Sequence, residues 1–517
     1  MSFMEEMGRM LSSMTEGLDC HGDLLRITVK RDRFADVVAS LHQAGGRLVS
    51  LHAADERERT GSFSLYAILD IGGRLAEVMG HVPEDAFPSL VPRLHAANWY
   101  EREIQDMFGL RPSGHPDPRP LVLYDDWPQG AFPLRKDFDP SAKVPRVPGE
   151  YRFRRLEGEG VYEIPVGPVH AGVIEPGHFR FSVAGEPIMA LEIRLGYVHR
   201  GVEKLSESTS YRKGVFLSER ISGDSSVAHS TAYCQAVERL SGTETPERAE
   251  YIRTVLLELE RLYNHMGDIS GIALDTAFAV PAADGYVLRE NILDLNERLT
   301  GSRLLRSVNT IGGVNRDIGR DDAAKLLSRL VDLRLRFDRL ATTMLSSATM
   351  LDRVEGTGRL SPENARMLGC VGPIARASGM DMDTRRDHPY AAYRDMSFRV
   401  PVQGSGDVYA RTLVRIDEIR ESFAIIEQAL DGMPGGPIRT EVKEVPAGGT
   451  ALSLVEAPRG ELMHWMIGGE DAPFRHKVRD PSFCNWLGME MAVRENIVPD
   501  FPLINKSFSL SYAGNDL

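Results

Sequence analysis

The stretch TPERAEYIRTVLLELERLYNHM, residues 245–266, reads as the opening of a long amphipathic helix. Thr245 and Pro246 supply a cap and a proline suited to the first helical position. Ile252, Val255, Leu256, Leu259 and Leu262 then recur at the spacing of one buried face. The same spacing returns at Leu288, Ile292, Leu295 and Leu299, at Leu326, Leu330, Leu333, Phe337 and Leu340, and at Ile419, Phe423, Ile426 and Leu430. Four long amphipathic helices predict a bundle core. Ahead of them FRFSVAGEPIMALEIRLGYV (179–198) predicts a β-hairpin turning near Gly185.

Toward the N-terminus the pattern changes. LLRITVK (24–30) and SFSLYAILDI (62–71) are rich in β-branched and aromatic residues, and DRFADVVASLHQAGG between them has helical spacing and a Gly-Gly stop. Residues 137–160 hold three prolines, several charges and little apolar periodicity, as a linker does. The expected class is therefore α+β: an extension over 1–21, a small α/β domain over 22–136, the linker, and a mainly helical domain with peripheral hairpins over 161–517.

Of the 517 residues, 42% are apolar and 26% charged, a globular composition. Lys and Arg number 61 against 74 Asp and Glu, so the formal charge of -13 argues against nucleic acid as a partner. No run approaches the roughly 18 apolar residues of a membrane-spanning helix, and the early acids of MSFMEEMGRMLSSMTEG are unlike a secretory signal. The expected location is the cytoplasm, with docking on a membrane complex still open. The four cysteines, Cys20, Cys234, Cys370 and Cys484, contain no C-x-x-C pair, so no local zinc or iron-sulfur motif is written here.

EREIQDMFGLRPSGHPDPRPLVL (101–123) resembles the signature of the C subunit of respiratory complex I, with Glu101, Arg102, Glu103, Asp106, His115 and Arg119 in register. From residue 163 onward the chain resembles the large subunit of energy-converting nickel-iron hydrogenases of the hydrogenase-4 and formate hydrogenlyase type, and its relative, the D subunit of complex I. The matching text is GPVHAGVIEPGHFRF, YVHRGVEKL, TPERAEYIRTVLLELERLYNHM, ILDLNERLTGSR, GPIARASGMDMDTRRDHPY and VEAPRGEL. Fusion of C-like and D-like parts in one chain is itself found in this superfamily.

In such hydrogenases two C-x-x-C pairs hold nickel and iron, because soft thiolates suit both ions. Here SERISGDSSVAHS (218–230) keeps Arg220, Gly223 and His229 in the motif's spacing but has Ser222 and Ser225 in the thiolate positions. The late pair is read at Ser482 and Asn485 in RDPSFCNW. A serine hydroxyl is a hard, neutral donor, so the resemblance implies a degenerate nickel site with no metal.

In complex I the corresponding cavity receives a quinone head-group between a tyrosine and a histidine. The resemblance places the tyrosine at Tyr233, puts Pro176 where the histidine belongs, leaves His178 or His229 to supply the proton, and has His170 upstream as a residue that would bind the head-group. Asp275 matches the carboxylate that partners the missing histidine. Arg220 and His229 fit a proton relay or anion site, and equally a pair that only hydrogen-bonds backbone. His199, Arg200, Glu203 and Lys204 match residues that in the relatives face the small subunit or carry protons toward the membrane arm, and fit a solvated helix start equally well; Arg376, Asp383, Arg385 and Arg386 are expected to face a subunit or the cavity.

The resulting expectation is a peripheral electron-transfer subunit of a complex I-like oxidoreductase on the cytoplasmic face of the inner membrane. It would bind no cofactor itself and act on a quinone or other small acceptor. The family implies an iron-sulfur small subunit like the complex I B subunit, a ferredoxin-like subunit and antiporter-like membrane subunits as partners. The alternatives are a non-catalytic scaffold between an iron-sulfur subunit and an ion-translocating arm and, more distantly, a working nickel-iron hydrogenase.

Overall fold

A mixed sheet forms the N-terminal part of the computed structural model, which describes residues 7, 10–21, 24–30, 32–82, 85–171 and 174–517. Its strands are β1 (Thr15–His21), β2 (Leu24–Val29), β3 (Arg47–Asp55), β4 (Phe63–Asp70) and β5 (Leu75–Val82), in the order β1-β2-β5-β4-β3. The helix Phe34–Gln43 connects β2 to β3 and ends before Gly45, whose φ of 96° suits glycine. β1 pairs with β2, so residues 15–21 belong to the sheet and are not an extension preceding it. Residues 1–6, 8 and 9 of that extension, and the boundary at residue 22, lie outside the described residues.

The motif around Glu101 forms the helix Asn98–Phe108. One oxygen of the buried Asp106 collects the backbone N–H groups of Leu121 and Val122 at 2.8 Å each and of Leu123 at 3.1 Å, so the proline-rich turn is tied to this helix. Residues 137–160 contain no helix or strand, yet they are pinned to the body. The Tyr151 hydroxyl and the Arg154 N–H both donate to Glu192, and the Arg154 guanidinium pairs with Asp117 at 2.9 Å.

The hairpin His178–Ala184/Ile188–Arg194 turns through Gly185, and a third strand, Val161–Val166, joins it. The long helices follow at Glu247–Asp275, Ala279–Thr300, Arg320–Leu345 and Val408–Gly432, giving the α+β class. The first starts after Pro246, one residue later than the cap reading places it. Between Tyr251 and Met266 it is enclosed on every side. Ions are therefore buried along with its apolar face: Arg261 and Arg385 flank Glu258, and Arg376 meets Glu418 at 2.7 Å and Glu456 at 2.8 Å. Arg376, Asp383 and Arg385 thus belong to an interior network and face neither a partner nor an open cavity; only Arg386 of that motif is outside it. Such a network is tolerated because every charge finds an opposite one.

Residues 450–479 make a three-stranded antiparallel sheet, Thr450–Ala457, Gly460–Ile467 and Arg475–Arg479, that is buried on both faces. Alternation sorts its side chains. Leu452, Leu454, Met463, Trp465 and Ile467 pack on Val49, Ala54, Tyr66 and Ile68 of the N-terminal sheet, while Ala451 and Met466 pack on Tyr233, Cys234 and Val237 of the helix Ser226–Ser241. In the last strand Arg475 and Arg479 donate to the carbonyls of Ala53 and Val49, and Lys477 pairs with Glu103 at 2.6 Å.

The second strand adds Glu461, clamped between Arg47 at 2.7 Å and Arg479 at 2.6 Å. Burial by itself would raise this carboxyl, but the two guanidiniums outweigh it and hold the group at about 2, against an ordinary 4.5. A depressed carboxyl stabilises the fold above its unfolded value, and that stabilisation disappears as pH falls through the folded value. We therefore expect urea midpoints to fall between about pH 4.5 and 2. Glu461→Gln should be less stable at neutral pH by up to about 3 kcal/mol and show a flatter acid limb.

Candidate functional site

The loop before the helix Ser226–Ser241 brings the hydroxyl positions together. Ser222 Oγ donates to Asp224 at 2.9 Å and lies 2.9 Å from Ser511 Oγ, and Ser482 Oγ accepts the Ser511 N–H at 2.9 Å. Arg459 pairs with Asp224 at 2.7 Å and donates to Ser225 Oγ at 3.3 Å. Ser222, Ser225 and Ser482 therefore share one polar cluster. Asn485 does not: the helix Pro481–Ala492 turns its amide onto the Val371 backbone, at 3.0 and 3.2 Å. The position opposite Ser222 is filled from the last turn of the described chain, where Ser511 and Gly514 repeat the two-residue separation. A Cβ on Gly514 would come within 2.5 Å of Asp480 Oδ2. The text SLSYAGN carried that spacing in the sequence, but without sulfur it gave no signal.

One further polar run, around His199 and Arg200, holds residues 511–517 against this loop. His199 Nδ1 engages the Asp516 carbonyl at 2.6 Å, and Arg200 donates to the carbonyls of Ile221 and Ala513. Glu203 turns inward to Arg475 at 2.7 Å. Glu203 thus staples the interior, whereas the half-buried His199 and the exposed Arg200 tie the chain end to this loop at the surface.

His229 and Tyr233 stand one turn apart on the helix face that meets the buried sheet. His229 Nε2 lies 3.2 Å from Asp480 Oδ2 and its Nδ1 lies 3.1 Å from His464 Nε2. The contacts continue from His464 Nδ1 to His476 Nε2 at 2.9 Å, and from His476 Nδ1 to Ser206 Oγ at 2.8 Å. His464, His476, Asp480, Ser206, Arg459 and Ser511 were all missed by sequence reasoning, because their strands and turns lie far apart along the chain.

Tyr233 is fully buried, with its hydroxyl donating to the Tyr211 carbonyl at 3.1 Å. Its ring meets those of His476 and His464 edge-on, at 5.5 and 6.3 Å. Burial pushes the phenol well above its ordinary pKa. Arg220 does not join His229: its side chain is 55% exposed and donates to the Phe216 carbonyl. His178 and His170 sit together at the hairpin entry, bound to the carbonyls of Gly167 and Gly177, and His178 Nε2 is buried without a hydrogen-bond partner. Burial lowers the His178 pKa. Asp275 ends the helix Glu247–Asp275, where burial raises its carboxyl and Lys506 opposes the rise. Cys484 lies 3.5 Å from the Tyr100 hydroxyl, and Cys234 is fully buried in the separate apolar cluster around Tyr233. The site can therefore hold protons and polar oxygen atoms along connected hydrogen bonds.

Comparison with known proteins gives two family matches. The respiratory-chain NADH dehydrogenase 30 Kd subunit family covers residues 27–144, and the 49 Kd subunit family covers residues 275–447 and 439–516. Formate hydrogenlyase subunit 5 of Escherichia coli (strain K12) is 38% identical over 506 residues, 96% of this chain and 89% of that protein. The fused C/D subunit of the NADH-quinone oxidoreductase of Phocaeicola vulgatus is 34% identical over 80% of this chain and 83% of that protein. Among solved structures, a chain of the membrane-bound sulfane sulfur reductase, an archaeal respiratory membrane complex, superposes with a TM-score of 0.66 at 29% identity, covering 70% of this chain and all of that one.

Gly214 closes the space over Tyr233, since a Cβ there would stand 2.0 Å from the phenol oxygen. We expect Gly214→Ala, despite its better helix propensity, to destabilise the fold by roughly 1–3 kcal/mol through overpacking. Tyr233→Phe, which only gives up the bond to Tyr211, should cost about 1 kcal/mol. Chemical denaturation of both variants checks the difference; equal stability would mean that the phenol is free to move.

Proposed function

Because the chain belongs to the family of fused respiratory-chain NADH dehydrogenase 30 and 49 Kd subunits and the membrane-bound hydrogenase large subunits related to them, we propose that it works in its oxidoreductase complex without a nickel-iron centre and couples an iron-sulfur subunit to an ion-translocating membrane arm. The observation that carries this reading is the serine cluster. Ser222, Ser225, Ser482 and Ser511 offer hydroxyls already engaged with one another, with Asp224 and with Arg459. Neutral hydroxyls do not replace the thiolates that nickel and low-spin iron require, so the residues present do not fit that centre.

The same reading supplies the partners. Among the described residues no helix is long and apolar enough to cross a membrane, so attachment to a membrane arm runs through other subunits, antiporter-like ones in this proposal. Cys234, Cys370 and Cys484 are buried free thiols with no C-x-x-C spacing among them, so in this proposal electrons come from clusters held by an iron-sulfur subunit and a ferredoxin-like subunit on the cytoplasmic face.

A second reading, reduction of a quinone or another small acceptor, is favoured by one observation: the buried, unpartnered Nε2 of His178. A polar atom left unpaired in this way is costly unless a ligand completes it. Against acceptor chemistry at Tyr233 stands the full engagement of its hydroxyl.

The test is the complex purified through a tag on this chain. We expect no stoichiometric nickel by elemental analysis; about one nickel per chain would overturn the proposal. Under the coupling reading, Tyr233→Phe and His178→Ala leave reduction of a soluble menaquinone analogue unchanged. The acceptor reading instead predicts a loss of roughly a hundredfold, the usual effect of removing one donor to a developing oxyanion.

A further inference from the structure

We infer that Ser206, His476, His464, His229 and Asp480 form a proton relay that links the serine cluster to the helix Val202–Ser206. Its hydrogen bonds measure 2.8, 2.9, 3.1 and 3.2 Å in that order, without a gap. None of the five residues is more than 2% exposed, so water does not short-circuit the row. The inference holds under either reading of the acceptor.

The way the rings are bonded separates this row from the histidines anchored to backbone. His42, His170, His178 and His199 each tie a ring nitrogen to a backbone carbonyl, which fixes the proton on that nitrogen. In the row, every ring spends both nitrogens on side chains that can give or take a proton. Alternation along the strands produces this: His464 and His476 point toward the helix while Trp465, Arg475 and Lys477 point toward the N-terminal sheet. Tyr233 lies edge-on over His464 and His476 and covers them.

The charges set a resting direction. Burial would raise Asp480, but His229 and Ser482 outweigh it and keep a carboxylate. Burial, reinforced by the neighbouring imidazoles, keeps His464 neutral; burial likewise takes His476 down to about 3, with Glu203 opposing and Arg475 and Lys477 assisting. A carboxylate at Asp480 can only accept, so His229 carries a proton on Nε2; in the resting arrangement of the relay each ring donates from Nε2 toward Asp480, and Ser206 donates to His476 Nδ1. Ser206 Oγ gives its proton to His476 Nδ1 as it takes one from a hydronium ion admitted at the helix Val202–Ser206. Each ring then releases its Nε2 proton to the next, and His229 passes one to Asp480, beside Ser482 and Ser511. One proton is gained at Asp480 for one taken up at the Ser206 end, no electrons move, and the row resets when the proton runs back. Charge arriving near the serine cluster is thereby matched by a proton drawn through the core.

The test uses the full chain with only its histidine rings labelled with nitrogen-15. In the wild type we expect scalar couplings across the bonds between His229 and His464 and between His464 and His476; their absence overturns the relay. In Asp480→Asn, Oδ1 keeps its bond from the Ser482 N–H, so the amide NH2 faces His229 and forces its Nε2 bare. The relay predicts that the protonated and bare nitrogens then exchange in all three rings, out to His476. A response confined to His229, or no response, means a static network and overturns the proposal. In Asp480→Asn combined with His464→Gln, His476 should keep its wild-type signals. Melting curves recorded beside the spectra establish that each variant is folded, and the wild-type couplings decide the matter if one is not.

Discussion

The three-stranded sheet of residues 450–479 is wedged between the N-terminal sheet and the helix Ser226–Ser241, and the rest of the molecule is organised around that wedge. A strand covered on one face alternates apolar and polar residues, whereas one covered on both must satisfy two different neighbours. Here Met463 and Trp465 fill the apolar face toward β3 and β4, while His464 and Met466 face the helix. A shift of one residue in register would exchange these two sets and place imidazoles against Tyr66 and Ile68. The tie between the domains and the polar row at the site are thus two faces of the same strands.

The interior also shows two ways of burying polarity. Around Glu258 and Glu418 the charges are closely matched: Arg376 and Arg385 each bridge acids from separate elements. Such a network makes the bundle rigid, because removing one partner leaves its opposite stranded in a medium of low dielectric. Around Ser222 and His464 the groups are mostly neutral, and hydrogen bonds connect them in chains. Neutral chains tolerate movement of a proton at little electrostatic expense, which suits a functional place in a way the ion network does not.

Much of the architecture was legible from pattern alone. The helical spacing from Ile252 to Leu262 returns as a buried face, and the hairpin turns at Gly185 as its sequence predicts. The class of the N-terminal domain followed from β2, β4 and the helix between them. What stayed hidden were β1, β3 and β5 and the sheet of residues 450–479; in β3 and the strand Gly460–Ile467, burial on both faces leaves no clean alternation of apolar and polar residues. At the site, His229 and Tyr233 stood out through the motif that contains them, whereas His464, His476, Asp480 and Ser511 had no local pattern to mark them.

By itself the sequence determined the long helices, the hairpin, the family and the absence of any C-x-x-C pair, since each of these is written in residue types at short spacing. Tertiary structure alone decided which polar groups meet. It turned Arg220 outward to 55% exposure, turned Asn485 onto Val371, and brought Ser511 to Ser222 across 289 positions of chain. The physical reason is that a hydrogen bond depends on distance in space and on the direction of each Cβ. Periodicity sets that direction only relative to its own helix or strand, and the packing of one element on another sets the rest.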